Sequence, residues 1–384
     1  MTAAPLVLLL SAAHPPDDIR VVRKEGAALA AAGWRVRHLA PGLPTTPRAV
    51  EGVAIETYPR RPGWLGRLRG LPALARRAAR SGAAVLHASE PDAWIAALLA
   101  ARRSGARVVI DVHEHYPSRL DSRLPAPLRP LARAALRGFC RLAGRAADAV
   151  VVAKDGLDAD FAAPGRTIPV RNYAQPVPVA PRIHGPGPLT LVHAGALTRT
   201  RGWPQMLEAL ALSPPGTRLR LIGRFTDGSG PEFQARAATL GLVDRIEALP
   251  WMPHAEALAR IAEGDIGLVL FQPGEENHRL ALPHKLFDCM LAGLPVIAPD
   301  FAEEVAAVVR EAGCGLLVDA ASPAAIAAAV AALADPARRT ALGAAGRQAA
   351  LTRFGWEQEA ARLVGLYRRL APLPESGPGA AGSL

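Results

Sequence analysis

The sequence predicts an α/β protein of two doubly wound, Rossmann-like domains in tandem, and three stretches carry that prediction. The first is Leu282 to Asp300, LPHKLFDCMLAGLPVIAPD, a short helix feeding a buried strand. Pro283 sits where a first helical turn tolerates proline, and Gly293 where a helix stops. The Pro-Val-Ile-Ala-Pro run that follows is too short for a helix and reads as a strand buried on both faces, the habit of parallel sheets. The second is the opening: residues 5–12 read as a strand, His14 to Asp18 as a loop, Ile19 to Ala32 as a helix ended by Gly33, and Trp34 to Leu39 as the next strand. The third is the restart of the same order at Leu189, after a proline-rich segment.

At 384 residues the chain suits two cores rather than one, and 50% of it is apolar, enough to fill both. The expected division is 1–178 as the first domain, 179–188 as a linker, 189–352 as the second domain, 353–371 as a closing helix returning toward the first domain, and 372–384 as a disordered tail. Pro176 to Pro188, PVPVAPRIHGPGP, is the stiff stretch that marks the junction. Net charge is +11 and lies on one side: residues 1–178 hold 26 Lys and Arg against 14 Asp and Glu, the remainder 19 against 20. A basic first half calls for an acidic partner, and nucleic acid fits least. Aromatic residues are 5% of the chain and are not interleaved with the arginines, so no nucleic acid partner is expected. Cys140, Cys289 and Cys314 are odd in number and far apart, which fits a reducing cytoplasm better than disulfides or a cysteine metal site. The opening PLVLLLSAA has no basic residue before it and Asp17, Asp18 and Arg20 after it, so a strand is expected and not a signal peptide. No apolar run reaches membrane-spanning length, which leaves peripheral contact as the expected mode.

Ala84 to His87 and Arg107 to His113 read as strands that each end in a histidine, with a further strand at Ala149 to Ala153. Ligands of such sheets bind beyond the carboxyl ends of the strands, so His87, His113, Glu114, His115 and Tyr116 fall on the rim. Adjacent residues on an extended segment diverge, so His113, Glu114 and His115 are expected as polar rim residues and no metal site is expected. Asp158-Ala159-Asp160 has the form of a metal-holding acidic pair but is expected in a first helical turn, where acidic residues suit the dipole. The opening turn lacks G-x-G-x-x-G, which removes support for a nicotinamide or flavin cofactor. Arginines are dense at Arg60, Arg61, Arg67, Arg69, Arg76, Arg77 and Arg80, and recur at Arg129, Arg133, Arg137, Arg141 and Arg145. Four-residue steps advance about 40° around a helix and make a slanting stripe. Both an anionic lipid surface and plain solvent fit such a stripe.

In the second half, strands are expected at Leu189 to His193, Arg218 to Ile222, Arg245 to Ala248 and Ile266 to Phe271. Gly195, Thr198, Arg199, Thr200, Arg201 and Gly202 make a flexible, hydroxyl-rich, basic loop at the start of a helix, suited to cradling a phosphate. On the helix from Pro283, about 100° per residue gathers Leu286, Phe287, Met290 and Leu291 on one side and Lys285, Asp288, Cys289 and Ala292 on the other, expected to be free for a ligand. Helix N–H groups and Lys285 suit a phosphate, and Asp288 suits the vicinal hydroxyls of a ribose, which together suggest a nucleotide diphosphate. A surface Lys–Asp pair fits the same spacing, which therefore leaves the choice open.

Several strings resemble glycosyltransferase family 4, a GT-B family. Leu282 to Asp300 resembles its "sLPnKlfEymaaGlPViasd" segment, and Gly195 to Gly202 its "G.l...(K/R)G" loop. Gly313 to Val318 is similar to its "G.Gllv", Phe354-Gly355-Trp356 to its closing "f.W", and Leu86-His87 and Asp111-Val112-His113-Glu114 to its first-domain strand ends. The resemblance spans nearly the whole chain. It implies two Rossmann-like domains facing across a cleft and a glycosyltransferase that moves a sugar from a nucleotide-diphosphate donor with retention, using no metal and no cofactor. Gly195, Arg201, Arg224, Lys285, Leu286 and Asp288 are the donor-binding residues it implies. His113, Arg201 and Lys285 are its catalytic candidates, His113 by positioning rather than nucleophilic attack, and Asp18, Arg20, His87 and His113 its acceptor side. Asp288 stands at the second glutamate of the family's two-glutamate motif. The first falls on Leu280, which leaves the sugar contact to Lys285 or to Glu276, Asn277 and His278. The implied acceptor is a glycan or lipid-linked molecule of cell-surface polysaccharide or glycolipid synthesis, met at the anionic inner face of the cell membrane through the basic first domain. Leu280 and Asp288 keep a non-catalytic nucleotide-sugar-binding protein as the alternative, with an epimerase of the same fold behind it.

Overall fold

The computed structural model describes residues 3–43, 48–61, 63–121 and 123–374, apart from the side chain of Trp64. The chain forms two compact units, Met1–Arg171 with Glu357–Leu384, and Asn172–Trp356. It crosses between them twice, once on either side of the second unit.

The first unit is a sheet of eight strands, β1 (Leu6–Leu10), β2 (Arg35–Pro41), β3 (Ala49–Val50), β4 (Val53–Tyr58), β5 (Val85–Ala88), β6 (Arg107–Val112), β7 (Ala149–Val152) and β8 (Thr167–Pro169), in the order β3-β4-β2-β1-β5-β6-β7-β8. All neighbours are parallel except β3 and β4. β1, β5 and β7 are buried along their whole length, as strands covered on both faces must be. β4 does not stand out in the sequence because VAIETY is only half-buried; Gly52 at φ 81° turns the chain into it. The helix expected over Ile19 to Ala32 begins as a widened, π-helical turn, Ile19–Gly26, and continues as an α-helix, Ala27–Ala31. On a regular α-helix Arg20 and Glu25 would point about 140° apart; the widened turn brings them onto one side, where they form a buried ion pair at 2.8 Å. The last helix, Trp356–Leu370, serves this unit: Trp34 Nε1 donates to the Ala371 carbonyl at 2.8 Å, and Glu359 accepts from the Arg171 backbone N–H at 2.8 Å.

The second unit holds a parallel sheet of six, β9 (Thr190–Ala194), β10 (Arg218–Ile222), β11 (Ile246–Leu249), β12 (Ile266–Leu268), β13 (Val296–Pro299) and β14 (Gly315–Val318), in the order β11-β10-β9-β12-β13-β14. The strand order reverses at β9 and β12, and the crevice beyond their carboxyl ends is where such sheets bind ligands. The helix His284–Leu291 is capped by Pro283 and stopped at Gly293, whose φ is 73°.

Three expectations are corrected. The segment Pro176 to Pro188 is fastened along the second unit. The Arg182 N–H donates to the Ala292 carbonyl at 2.8 Å, the Arg347 guanidinium to the Val179 carbonyl at 3.1 Å, and the Arg339 guanidinium to the Gly185 carbonyl at 2.6 Å. The first unit therefore ends at Arg171 and not at 178. Of the expected tail 372–384, Leu373 packs onto Gly33, and residues 375–384 lie outside the described residues. Asp158–Asp160 forms a three-residue 3-10 turn instead of opening a helix, and Asp160 is consumed by His115 at 3.0 Å and Arg137 at 3.1 Å.

Candidate active site

In the first unit, polar side chains converge beyond the carboxyl ends of β1, β5 and β6. Glu90, just past β5, accepts the backbone N–H groups of Ala12, Ala13 and His14 at 2.8, 3.0 and 2.8 Å, and so fixes the loop that follows β1. Its carboxylate also meets His14 Nδ1 at 2.5 Å. Burial disfavours charge on both groups, but the pairing outweighs it, holding Glu90 down at about 2 and raising His14 to about 9. His14 Nε2 lies 3.3 Å from His113 Nδ1, and His113 Nε2 is hydrogen-bonded to Asp111. His113 therefore has both ring nitrogens engaged.

Behind Asp111 the network is closed to solvent. Arg20 donates to Asp111 at 3.0 Å and to the Val170 carbonyl at 2.9 Å, and pairs with Glu25. His87 lies 3.2 Å from Glu25 and 3.5 Å from Asp111, and its Nδ1 is 2.7 Å from the Tyr367 hydroxyl of the last helix. Burial opposes charge on His87, yet the two carboxylates raise it to about 9. The expected rim position of His87 and acceptor-side position of Arg20 are corrected: they are 0% and 5% exposed. Both side chains hold Asp111 behind His113. Asp18 caps the first helix, accepting from the Arg20 and Val21 backbone N–H groups at 2.9 Å. Glu25, His87 and Asp111 bring metal-capable atoms within 4.8 Å of one another, with the Arg20 guanidinium already paired to both carboxylates.

The second unit gathers a different set at the β9/β12 switch. Gly195 follows β9 at φ 105°. A side chain at Gly223, after β10, would come within 2.0 Å of the Gly195 carbonyl oxygen, so the close approach of these two strand ends demands glycine. Thr198 accepts from the Arg201 backbone N–H at 3.1 Å, and Gly202, at φ 86°, leads into the helix Trp203–Leu212. Lys285, in the first turn of the helix His284–Leu291, comes alongside Gly195, its Cε 3.8 Å from where a Cβ there would stand. Its Nζ is 3.0 Å from His193 Nε2 and 5.9 Å from the Phe271 ring centre. Burial pushes Lys285 well below the ordinary lysine range, and Arg201 adds to the effect. Burial likewise lowers His193, with Lys285 second, and lowers Arg201, opposed by Glu275.

The expected ligand face of this helix is narrower than its spacing suggests. Cys289 packs against Gly267 and Ala292 is buried, so only Pro283, His284 and Asp288 keep partial exposure. Leu286 is corrected in the same way: its side chain is 0% exposed in the core, and its backbone N–H is bonded to the Pro283 carbonyl. Asp288 accepts from His254 Nε2 at 2.8 Å. Arg224 is exposed after β10, its guanidinium 5.9 Å from the Trp251 ring. Leu280 is buried, and His278 is stacked on Phe271 and bonded to the Gln272 carbonyl. His14, Glu90, His193, His254 and Glu275 were not among the expected site residues. His193 ends a predicted strand as His87 and His113 do, and that was the one available signal.

Two doubly wound units, each gathering polar side chains beyond the carboxyl ends of its strands, make a GT-B architecture. The descriptions "Glycosyltransferase Family 4" and "Glycosyl transferases group 1" match residues 20–163 and 181–349 in tandem, and the chain belongs to glycosyltransferase family 4. It is 30% identical over 240 residues to the D-inositol 3-phosphate glycosyltransferase of Corynebacterium urealyticum, covering 60% of this chain and 53% of that one. It is 30% identical over 190 residues to the same-named protein of Segniliparus rotundus, covering 48% of this chain and 40% of that one. The matches thus span about half the length of these relatives or less. Among solved structures, sucrose-phosphate synthase of Thermosynechococcus elongatus superposes with a TM-score of 0.77 at 21% identity, over 95% of this chain and 99% of that one. Anabaena HepE, in complex with UDP-glucose, superposes with a TM-score of 0.70 at 18% identity, over 95% and 99%.

Proposed function

We propose that this enzyme transfers a sugar, with retention, from a nucleotide-diphosphate donor held by the second unit to a glycan or lipid-linked acceptor of cell-surface polysaccharide or glycolipid synthesis. The observation that carries the reading is the convergence of Lys285, Arg201 and the open Gly195 loop at the sheet's switch point. Retaining transfer from a diphosphate needs charge stabilisation on the leaving phosphate more than a strong base, and two cations beside backbone N–H groups supply it. Arg224 and Asp288 would contact the nucleoside side of the donor. Asp18 and His113 would face the acceptor, His113 as a positioning group because its nitrogens are already engaged. The UDP-glucose complex of HepE makes UDP-sugars the first donors to try, and the relatives' names make inositol phosphate an early acceptor.

The test is a thermal-shift panel of nucleoside diphosphates and nucleotide sugars. Ligand at a hundredfold over its dissociation constant adds about 2.7 kcal/mol to the folded state. A shift confined to one nucleotide family, lost in Arg201→Ala and Lys285→Ala, is the expected result, and no shift with any nucleotide would remove the reading. Buried Leu280 in place of the family's first glutamate favours one second reading, a non-catalytic nucleotide-sugar-binding protein. Clear binding with neither transfer nor hydrolysis would select it.

We also propose that the first unit contacts a membrane surface peripherally, from the cytoplasmic side. The helix Arg129–Ala146 contains five arginines and no acidic residue, and Leu131 and Leu142 on it are 72% and 66% exposed. Leu128, just ahead of it, is 51% exposed. Arg133 and Arg137 pair with Asp121 and Asp160, while Arg141 and Arg145 stand on the outer side among the leucines. Cations among exposed leucines suit anionic headgroups. Among the described residues no helix is long and apolar enough to cross a membrane. Co-sedimentation with phosphatidylglycerol vesicles but not phosphatidylcholine vesicles is expected, and its persistence in Leu131→Glu/Leu142→Glu would displace the surface from this helix.

A further inference from the structure

We infer that capture of the nucleotide diphosphate is coupled to uptake of a proton at Lys285, and that His193 is the positioning residue which receives the Lys285 ammonium and aims it at the phosphate loop. The inference rests on the reading of the second unit as a nucleotide-diphosphate site and goes beyond it, because nothing in that reading requires a proton to move.

The geometry sets the terms. Lys285 is 8% exposed and His193 1%, and their nitrogens lie 3.0 Å apart, so the lysine's near polar neighbour is an imidazole and not a carboxylate. The charged groups around it are few. Arg201, from the loop after β9, repels a charge on Lys285. Asp288 and Cys289, on the helix of Lys285 itself, favour that charge, but Asp288 is turned to His254 of the helix His254–Ala262, and the Cys289 thiol is pushed up to about 12 by burial, so it is neutral. Glu275 faces Arg201. A buried lysine beside Arg201 and the Gly195 loop, with no carboxylate of its own, is a site that holds its full charge only when an anion arrives. A diphosphate supplies that anion, and the ammonium it restores needs an acceptor behind it to keep it from swinging freely. Neutral His193 can face an ammonium only as an acceptor through Nε2, with its own proton on Nδ1.

The reaction of binding is then balanced: neutral Lys285, one solvent proton and the diphosphate give the ammonium–diphosphate pair. A fully coupled proton makes affinity fall by up to about tenfold for each unit rise in pH. Above roughly pH 7.5 the terminal phosphate of UDP is already fully ionised, its second pKa being about 6, and histidines of ordinary basicity are already neutral, so both drop out of the slope.

UDP binding to the full chain is measured by titration calorimetry from pH 7.5 to 9, in two buffers of different ionisation enthalpy, with GDP and ADP as alternatives. The expected result is net proton uptake and an affinity that weakens with pH. In Lys285→Arg, which keeps its charge, uptake should vanish and the pH profile should flatten while binding persists. His193→Leu should weaken binding about tenfold, and His193→Gln, which retains an acceptor, should recover most of that loss. Far-UV circular dichroism confirms that each variant is folded, and the Gln variant carries the test if the Leu variant is not. Binding with no proton uptake, or uptake unchanged in Lys285→Arg, overturns the coupling. Uptake with equal affinity in the Leu and Gln variants overturns the role of His193. Failure of the wild-type chain to bind any of the three diphosphates overturns the nucleotide-site reading itself, a result the variants cannot mimic.

Discussion

The two units each bury a cluster of ionisable side chains at the ends of their central strands, but they treat charge in opposite ways. In the first, each cation of this cluster meets a carboxylate: His14 meets Glu90, and Arg20 and His87 share Glu25 and Asp111. In the second, Lys285 meets His193 and Arg201 across the Gly195 loop, and the nearest carboxylates are committed elsewhere or distant enough to act only weakly. A self-neutralised cluster is a scaffold: it fixes His113 and the loop after β1 and asks for nothing more. An uncompensated cluster is a receptor, because its desolvation penalty is offset only when a ligand brings the missing charge.

This contrast predicts opposite responses to removing one charge. Asp111→Asn leaves Arg20 and His87 to share Glu25 alone in the interior of the first unit, and breaking a buried pair costs about 3–5 kcal/mol. Denaturant unfolding should show that loss, and an effect under about 1 kcal/mol would mean the cluster is not held by its charges. Lys285→Met removes a charge that lacks a carboxylate partner, so the empty protein should keep its stability or gain on the order of 1 kcal/mol while nucleotide binding falls by a hundredfold or more. Stability and binding therefore separate at Lys285, and a parallel loss of both would place it with the scaffold residues.

The same contrast appears as two slopes of stability against pH. The folded first unit raises His14 and His87 to about 9 from an ordinary value near 6.5. Between those limits the native state binds more protons than the unfolded chain, so their contribution is complete below about pH 6.5 and is lost as pH rises through about 9. Lys285 has the opposite sign. Its native value lies below the ordinary one, so the unfolded chain binds the extra proton and stability from this site recovers as pH rises toward about 10.4. Calorimetric unfolding from pH 6.5 to 9.5 should therefore give a steeper decline in Lys285→Met than in the wild type, and a shallower one in His14→Asn. Identical slopes in all three proteins would break the assignment.

How much of this was legible follows from where each signal is written. The fold is carried by runs such as LVLLL, AVVV and PVIAP, whose burial on both faces follows from their own composition, and by glycines at strand and helix ends. Lys285 and Arg201 are legible because their loops and helix starts are local. The polar partners are not. Glu90 reaches back 76 residues to His14, and Tyr367 is 280 residues from His87. No local spacing encodes such contacts. His87 was expected at a ligand because it sits at a strand end, and Arg20 because the resemblance implies it, and sequence position cannot separate a side chain at the rim from one turned inward, as Arg20 is by a widened helical turn. Cys289 was misread for a related reason: a helical wheel sorts faces but does not say that neighbours cover them all, whereas the wheel puts Leu286 on the packing side and only the resemblance implies it as a donor contact.

Asp288 gives the finest test of the comparison, because it is the carboxylate on the helix of Lys285 itself and is turned to His254 instead of Lys285. That pair is partly exposed, at 31% and 13%, so Asp288→Asn should cost under about 1 kcal/mol of stability. Its effect on the ligand should be the larger of the two if the carboxylate serves a ribose: about tenfold in UDP affinity, as one charge-assisted hydrogen bond is weakened. Asp288→Glu extends the carboxylate by one methylene to the residue the family pattern carries at this position. A two- to fivefold gain in UDP affinity is expected, with little change in the affinity for a ribose-free diphosphate such as pyrophosphate. If both ligands gain equally, the longer side chain is acting on the charge around Lys285 and not on a ribose, and Asp288 then belongs to the electrostatics of the phosphate site.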